Sequence, residues 1–130
     1  MEENIMKKLY LACPFSHRFF LVRWYRYVLV TYYAARLMKA GYVVFSPITH
    51  SMPVAFFLPK RLMQSWTFWK RQDIPWLIQC DVLGIIPLKG WQGSVGVTAE
   101  KQTAERLGMP VIMIDRYRLG VMTGLDMEDE

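Results

Sequence analysis

An unbroken apolar run at residues 82–86 is the feature that most constrains the fold of this sequence. A run without polar alternation is typical of a strand buried on both faces, as in a parallel sheet covered by helices. Residues 87–93, with one Pro and two Gly, then predict a loop, and Ser94 is a good N-cap for a following helix. Ligands in open α/β sheets bind where strands end in this way. We therefore expect a strand–loop–helix crevice, with Glu100 in the second turn of the helix facing a ligand.

Three further runs predict the other strands: Lys8–Ala12, Tyr42–Ser46 and Val111–Ile114. Helices are predicted between them, and two of these end in a glycine suited to the left-handed position after a helix. The predicted helices lie at 19–39, closed by Gly41, at 62–79 and at 94–107, closed by Gly108, whereas 47–53 is predicted as a loop. The alternation predicts an α/β fold, a small doubly wound and mostly parallel sheet (Rossmann-like or flavodoxin-like) with helices on both faces.

The chain of 130 residues suits one domain with a single core, and its 53% hydrophobic content excludes a disordered segment. We expect one domain over 1–130, with its core at 8–114 and an acidic tail at 115–130. Cys13 and Cys80 have neither zinc-site spacing nor a disulfide framework, which favours buried free thiols in a reducing cytoplasm. The beginning of the sequence is acidic and lacks a long apolar stretch, so no signal peptide is expected.

The net charge of +5 favours anionic partners. Basic residues occur in pairs, at 7–8, 60–61 and 70–71, rather than in one continuous stripe. This pattern suits a phosphate-bearing small molecule, and we expect no nucleic-acid partner. The loop after the first strand has no G-x-G-x-x-G, which argues against a dinucleotide, and no His, Cys or carboxylate grouping has metal-ligand spacing. We therefore expect neither a cofactor nor a metal.

Residues 19–40 are apolar on nearly all sides of the predicted helix. Four cations interrupt the segment, and charges near a bilayer centre cost about 2.5–3.5 kcal/mol each, so we expect no membrane partner. One apolar face is enough to pack a helix on a sheet. The second apolar face predicts a homodimer or a higher homo-oligomer formed through 19–40, since large exposed apolar patches mark interfaces.

Two carboxylates, Asp73 and Glu100, lie near predicted strand ends among aromatic and small residues. Apolar surroundings raise the pKa of a carboxyl group, which is how acid, base and nucleophile roles are tuned. Structural alternatives stay open from spacing alone: Asp73 could cap a helix that kinks or restarts at Pro75, and Glu100 could be a surface residue beside Lys101. Asp81, before the third strand, is interpreted as structural, with its carboxylate accepting backbone N–H groups.

Three polar residues, Ser16, His17 and Ser94, lie in loops at predicted strand ends, where hydroxyls and backbone amides can hold phosphate oxygens. His17 and His50 are weaker candidates for chemistry, because a single His in a loop is more often structural or exposed. Neither a G-x-S-x-G motif nor a P-loop is present.

An ordered set of motifs runs through most of the chain: Tyr10-Leu-Ala-Cys-Pro-Phe-Ser-His17, Ser46-Pro-Ile-Thr-His-Ser51, Trp69 through Asp73, Trp76-Leu77, Cys80-Asp81 and Gly90-Trp91-x-x-Ser94-x-Gly96-x-x-x-Glu100. This set resembles the DUF1937 family, which has no assigned activity. That family is similar in turn to the nucleoside 2-deoxyribosyltransferases and the 2′-deoxynucleoside 5′-phosphate N-hydrolases. The resemblance covers residues 8–114.

The resemblance implies three catalytic residues. Glu100 falls where the family's nucleophile lies, at the end of an S/D-x-G-x-x-x-E pattern, and would attack C1′ of a 2-deoxyribose to form a glycosyl-enzyme ester. Asp73 matches an Asp that donates a proton to the leaving base or orients the substrate, although Ile74 and Pro75 replace its usual neighbours. Tyr10 matches a strand tyrosine whose hydroxyl holds the nucleophile. Water or a second base would then release the sugar.

The resemblance also bears on the substrate. In the transferases the residue matching Ser94 is usually an Asp that contacts the free 5′-hydroxyl, whereas the hydrolase-like branch has Ser, which would not repel a 5′-phosphate. A 2′-deoxynucleoside 5′-monophosphate is therefore implied, with Pro14, Ser16, His17 and Gly96 as further substrate- or phosphate-binding residues. Such families build their sites at subunit contacts. The alternatives are a transferase acting on free nucleosides and a non-catalytic nucleotide-binding or sensing module.

Overall fold

The computed structural model describes residues 7–115, and strands and helices alternate along this part of the chain. Within it, no helix has the combination of length and apolarity that a membrane crossing requires. The predicted tail at 115–130 lies, apart from Asp115, outside the described residues. The elements are β1 Lys8–Ala12, α1 Phe20–Lys39, β2 Val43–Phe45, α2 Pro47–Ala55, α3 Lys60–Met63, α4 Trp66–Ile78, β3 Val82–Ile85, α5 Val95–Arg106 and β4 Val111–Met113, with a 3-10 turn at Trp91–Gly93.

The four strands form one parallel sheet in the order β2-β1-β3-β4. This confirms the predicted α/β fold with a parallel sheet and surrounding helices. Tyr10, in the middle of β1, lies opposite Phe45 of β2 and Leu83 of β3. The chain leaves β1 towards α1 and leaves β3 towards α5. These two loops therefore flank the point where the order of connection reverses, which is where open α/β sheets bind ligands.

The two faces of the sheet build two separate cores. Alternate residues of a strand point to opposite faces, and in β1 Leu9 and Leu11 enter one core whereas Tyr10 and Ala12 enter the other. Helix α1 covers the first core, here called the α1 face, with Val30, Tyr33, Ala34 and Leu37. Helices α4 and α5 cover the second core, here called the α5 face, with Leu77, Val97 and Ala104. The predicted placement of helices on both faces is confirmed.

Glycines end α1 and α5, as predicted. Gly41 and Gly108 have φ angles of 111° and 71°, a left-handed conformation that costs glycine little. After α1, the Gly41 N–H donates to the Met38 carbonyl and the Tyr42 N–H to the Leu37 carbonyl. The same pair of bonds follows α5. Both helices thus end in a Schellman motif, which pairs carbonyls that the helix leaves free.

Two predictions about local structure are wrong. Residues 47–53, predicted as a loop, belong to α2, since Pro47 occupies the first turn, where a missing N–H costs nothing. The predicted helix at 62–79 begins only at Trp66, because the Ser65 hydroxyl accepts the Phe68 N–H and caps α4 there. The residues before Ser65 form the separate short helix α3. Helix α4 continues through Pro75, so the helix does not restart there.

Candidate active site

The centre of the candidate site is a hydrogen bond between strand β1 and helix α5, inside the core of the α5 face. The Tyr10 hydroxyl donates to Oε2 of Glu100 at 2.5 Å, joining β1 to α5 across ninety positions of the sequence. Both side chains are buried. Glu100 lies between Val97 and Ala104 at helical spacing, so it occupies the inward side of α5 together with core residues. The alternative that Glu100 is a surface residue is therefore wrong.

Asp73 belongs to the same interior. It lies four residues before the fully buried Leu77, on the inward side of α4, and is only 7% exposed. Because Ser65 is the N-cap of α4, the alternative role of Asp73 as a local cap is also wrong. Among the described residues, no Lys or Arg forms an ion pair with Asp73 or Glu100. Burial of two carboxyl groups without a cation is costly, and the cost appears in their pKa values.

Burial raises the pKa of Glu100 to about 8; the Tyr10 hydrogen bond opposes this rise, and the charge of Asp73 adds to it. Burial also raises the pKa of Asp73 to about 6. The pKa of Tyr10 lies well above its usual value, first because of burial and then because of the charges of Glu100 and Asp73. Tyr10 therefore stays a hydrogen-bond donor, and near neutral pH the carboxyl pair holds one proton between them.

The loop between β3 and α5 presents hydrogen-bond donors. The Ser94 hydroxyl accepts the Val97 N–H at 3.2 Å and so caps α5, as predicted, which leaves its own O–H able to donate. The N–H groups of Val95 and Gly96 have no acceptor within the helix, because they lie in its first turn. A Cβ at Gly96 would meet only the Trp66 ring at 3.6 Å, an ordinary contact, so packing alone does not require glycine there.

The loop between β1 and α1 contains the other predicted phosphate-binding residues. Pro14 is buried, His17 is half-buried and Ser16 is exposed. The Nδ1 atom of His17 accepts the Phe19 N–H at 3.1 Å, which directs the imidazole back towards its own loop. His50, which like His17 was a weak candidate for chemistry, is exposed on α2 with its ring centroid 6.2 Å from that of Phe45.

The structure thus brings Tyr10, Asp73 and Glu100 together and leaves Asp81 apart. Asp81 lies at the opposite edge of the sheet, where Oδ2 accepts the Lys8 N–H at 2.9 Å, and its structural interpretation is confirmed. Both cysteines are free thiols; Cys13 is buried as predicted, whereas Cys80 is only half-buried, so its predicted burial is wrong. Within residues 7–115, no group of three or more His, Cys, Asp or Glu could hold a metal ion.

Two features of the site were missed by sequence reasoning. Phe45 and Trp76 stack at 5.1 Å, and Phe45 also contacts Tyr10, so an aromatic pair lies beside the carboxyl groups. On α1, Arg23 and Arg26 donate to backbone carbonyls of the two loops. Their spacing to the buried Val30, at intervals of three and four, is the sequence signal that could have placed these arginines on the inward side of α1.

The family model described as "Domain of unknown function (DUF1937)" matches residues 7–116, which is most of the chain. The protein therefore belongs to this family. None of the curated proteins matches the chain.

Proposed function

We propose that this protein cleaves the N-glycosidic bond of a 2′-deoxynucleoside 5′-monophosphate, with Glu100 as the nucleophile. The observation that carries the proposal is the buried hydrogen bond from Tyr10 to Glu100, with the second buried carboxyl group of Asp73 coupled to it. Two carboxyl groups buried in a core, without a cationic partner among the described residues, do not stabilise the fold by themselves. Perturbed carboxyl pairs of this kind are typical of acid and nucleophile roles. The resemblance of the surrounding motifs to deoxyribosyltransferases and nucleotide N-hydrolases supports the same roles.

The proposed reaction has two steps. First, the Glu100 carboxylate attacks C1′ of the sugar while the C1′–N bond breaks, and the Asp73 carboxyl group gives its proton to the departing base. The product is a glycosyl ester on Glu100. Water then attacks C1′, the ester bond breaks, Glu100 regains its carboxylate, and the proton lost by the water returns to Asp73. The sum is nucleotide plus water giving free base plus 2-deoxyribose 5-phosphate.

This reaction needs Glu100 ionised and Asp73 protonated, which is the minor arrangement of the shared proton. Burial raises the pKa of Glu100 further than that of Asp73, so the proton rests more readily on Glu100 and moving it to Asp73 costs free energy. The Tyr10 hydrogen bond stabilises the ionised form of Glu100 and so reduces this cost. We expect kcat/KM to follow a bell-shaped pH profile, with limbs near the two pKa values of the pair.

Charge and hydrogen-bond donors support a phosphorylated substrate. Both loops at the carboxyl edge of β1 and β3 offer donors, from Ser16, from the Ser94 hydroxyl and from the first turn of α5. Between residues 4 and 72 the sequence has no Asp or Glu, so this half of the protein is uniformly basic. The stacked pair of Phe45 and Trp76 provides apolar surface for a flat nucleobase beside the carboxyl groups.

The proposal is tested by incubating the protein with each deoxynucleoside monophosphate and measuring release of free base. We expect release with at least one of them, and loss of release in Glu100→Ala. Full activity in that variant would exclude Glu100 as the nucleophile. Binding without release in the wild type would instead favour a nucleotide-binding module.

Substrate choice is tested by Ser94→Asp. Asp caps helices as well as Ser does, so the substitution preserves α5 and adds only a negative charge. We expect kcat/KM for the monophosphate to fall by about 10²-fold or more while the free nucleoside is affected little. Ser94→Asn, a neutral residue with the same capping ability, is the matched control and should retain most of the preference for the monophosphate. An unchanged preference in Ser94→Asp would remove Ser94 from the phosphate site.

We also propose a homo-oligomer formed through α1, in the cytoplasm. The outward side of α1 exposes Leu21, Trp24, Tyr25, Val28 and Tyr32, a stripe that a second subunit would cover. The free thiols agree with a reducing compartment. Light scattering on a calibrated column tests the assembly, and a monomer of 15.3 kDa would contradict it.

A further inference from the structure

Arg26 connects the two loops that flank the crevice. Its guanidinium donates through Nη1 to the Ser16 carbonyl at 3.2 Å and through Nη2 to the Lys89 carbonyl at 3.1 Å. Ser16 belongs to the loop after β1, whereas Lys89 belongs to the loop after β3. One planar, permanently charged group therefore joins backbone segments that lie far apart in the sequence.

The surroundings of Arg26 place it at the carboxyl edge of the sheet. Its charge acts on the buried thiol of Cys13, which directly follows β1. At this edge β1 and β3 remain paired, since the Ile86 N–H donates to the Ala12 carbonyl at 2.9 Å. One helical turn earlier on α1, Arg23 donates to the His17 carbonyl, so the loop after β1 is held at two successive carbonyls. Of these two arginines, Arg23 contacts the loop after β1, whereas Arg26 contacts both loops.

We propose that Arg26 is a positioning residue, whose double hydrogen bond fixes the spacing between the two loops and thereby sets the affinity of the site for a 5′-phosphate. The inference rests on the proposed function. Ser16 and His17 lie in one loop, and Ser94 follows the other, so donors from both loops can share one anion only at a fixed separation. The two hydrogen bonds that define this role go from the guanidinium of Arg26 to protein carbonyls, and they act on the site through the two loops.

The test compares Arg26→Met, which keeps an unbranched apolar side chain, with Arg26→Lys and with Arg106→Met as a control. Arg106 lies at the end of α5 and, within residues 7–115, donates to Thr103 of its own helix, at 3.4 Å. Backbone hydrogen exchange at 13–19 and 86–93 should accelerate about 10-fold or more in Arg26→Met at both loops. Arg106→Met should leave both loops unchanged. Acceleration at only one loop, or at neither, would overturn the proposed connection.

The second measurement is binding and turnover of the deoxynucleoside monophosphate preferred by the wild type. In Arg26→Met we expect KM and the Kd from calorimetry to rise about 10- to 100-fold, with kcat changed about 2-fold at most. Arg26→Lys should restore part of the affinity.

Unchanged affinity in Arg26→Met would overturn the inference even if the backbone amides of the loops exchange faster. If the wild type binds the nucleotide without turnover, the proposed function fails but the Kd comparison still decides this inference. If the wild type binds no monophosphate, the phosphate part of the inference is wrong.

Discussion

The two faces of the sheet share one strand yet differ in what they bury. On the α1 face, Leu9 and Leu11 of β1 meet apolar side chains of α1. On the α5 face, the residue between them, Tyr10, meets Glu100, and Asp73 lies nearby. A one-residue step along β1 therefore separates a core that buries no carboxyl group, among the described residues, from a core that buries two. Both faces bury apolar side chains, but we expect the two carboxyl groups of the α5 face to lower stability in return for the chemistry that we propose.

This comparison predicts opposite responses to substitution. Removing a side chain from the α1 face should destabilise the fold but leave the proposed activity of each folded molecule unchanged. Removing charge from the α5 face should stabilise the fold and abolish its proposed activity, as active sites commonly trade stability for function.

The largest effect on stability is expected on the α1 face. Leu11 is fully buried there, so Leu11→Ala loses apolar contacts and leaves a cavity, which costs about 2–5 kcal/mol of the free energy of unfolding. Urea denaturation measures this loss. Base release per folded molecule should stay near the wild-type value. A large fall in that specific activity would show that the two faces are not independent.

The next effect is a gain in stability on the α5 face that depends on pH. The pKa of Glu100 is about 8 in the folded protein and about 4.3 in the unfolded chain, so only the folded state holds its proton between these values. Stability therefore falls as the pH rises through that window. Glu100→Gln removes this fall, and we expect it to stabilise the protein by about 1–3 kcal/mol at about pH 9 and by little at about pH 5.

Glu105→Gln is the matched control for that measurement. Glu105 lies on the same helix but is exposed, and it pairs with Lys101 at 3.6 Å on the surface. Loss of an exposed pair costs at most about 1 kcal/mol and should show no comparable pH dependence. Equal pH profiles for the two variants would contradict the raised pKa of Glu100.

The sequence predicted the scaffold better than the site. The strands, the glycine ends of α1 and α5 and the Ser94 cap follow from local patterns, and all are found. Residues 47–53 were predicted wrongly because the segment's short polar residues and two prolines are typical of loops, while Pro47 in fact starts a helix. Sequence spacing could not decide whether Asp73 and Glu100 have functional or structural roles. Their burial depends on which sides of α4 and α5 face the sheet, and spacing did not predict this. The connection made by Arg26 joins two distant loops, and no local pattern encodes it.

A smaller effect is expected from removing the hydrogen bond that joins Tyr10 of β1 to Glu100 of α5. Tyr10→Phe removes the donor that lowers the pKa of Glu100, so this pKa should rise above about 8. We expect a loss of about 1 kcal/mol in the free energy of unfolding at about pH 6, where Glu100 is protonated, and a coupling of similar size with Glu100→Gln in a double-mutant cycle. The alkaline limb of the kcat/KM profile should move to higher pH, and the maximum should fall. An alkaline limb that does not move would separate Tyr10 from the titration of Glu100.

The smallest effect tests whether a residue of the α5 face other than the two carboxyl groups also lowers the stability of the fold. Gly96 lies in the first turn of α5, where a Cβ would make only an ordinary contact with Trp66 at 3.6 Å. Because glycine costs a helix about 0.5–1 kcal/mol relative to alanine, Gly96→Ala should stabilise the protein by up to that amount. The added Cβ would lie beside the N–H groups proposed to bind the phosphate, so the Kd for the monophosphate should rise about 10-fold.

Thr98→Ala, an exposed substitution on the same helix, is the control and should change stability by a few tenths of a kcal/mol and leave the Kd unchanged. If Gly96→Ala stabilises the protein and binds the nucleotide as tightly as the wild type, the first turn of α5 is not part of the phosphate site, and only the carboxyl groups distinguish the two faces.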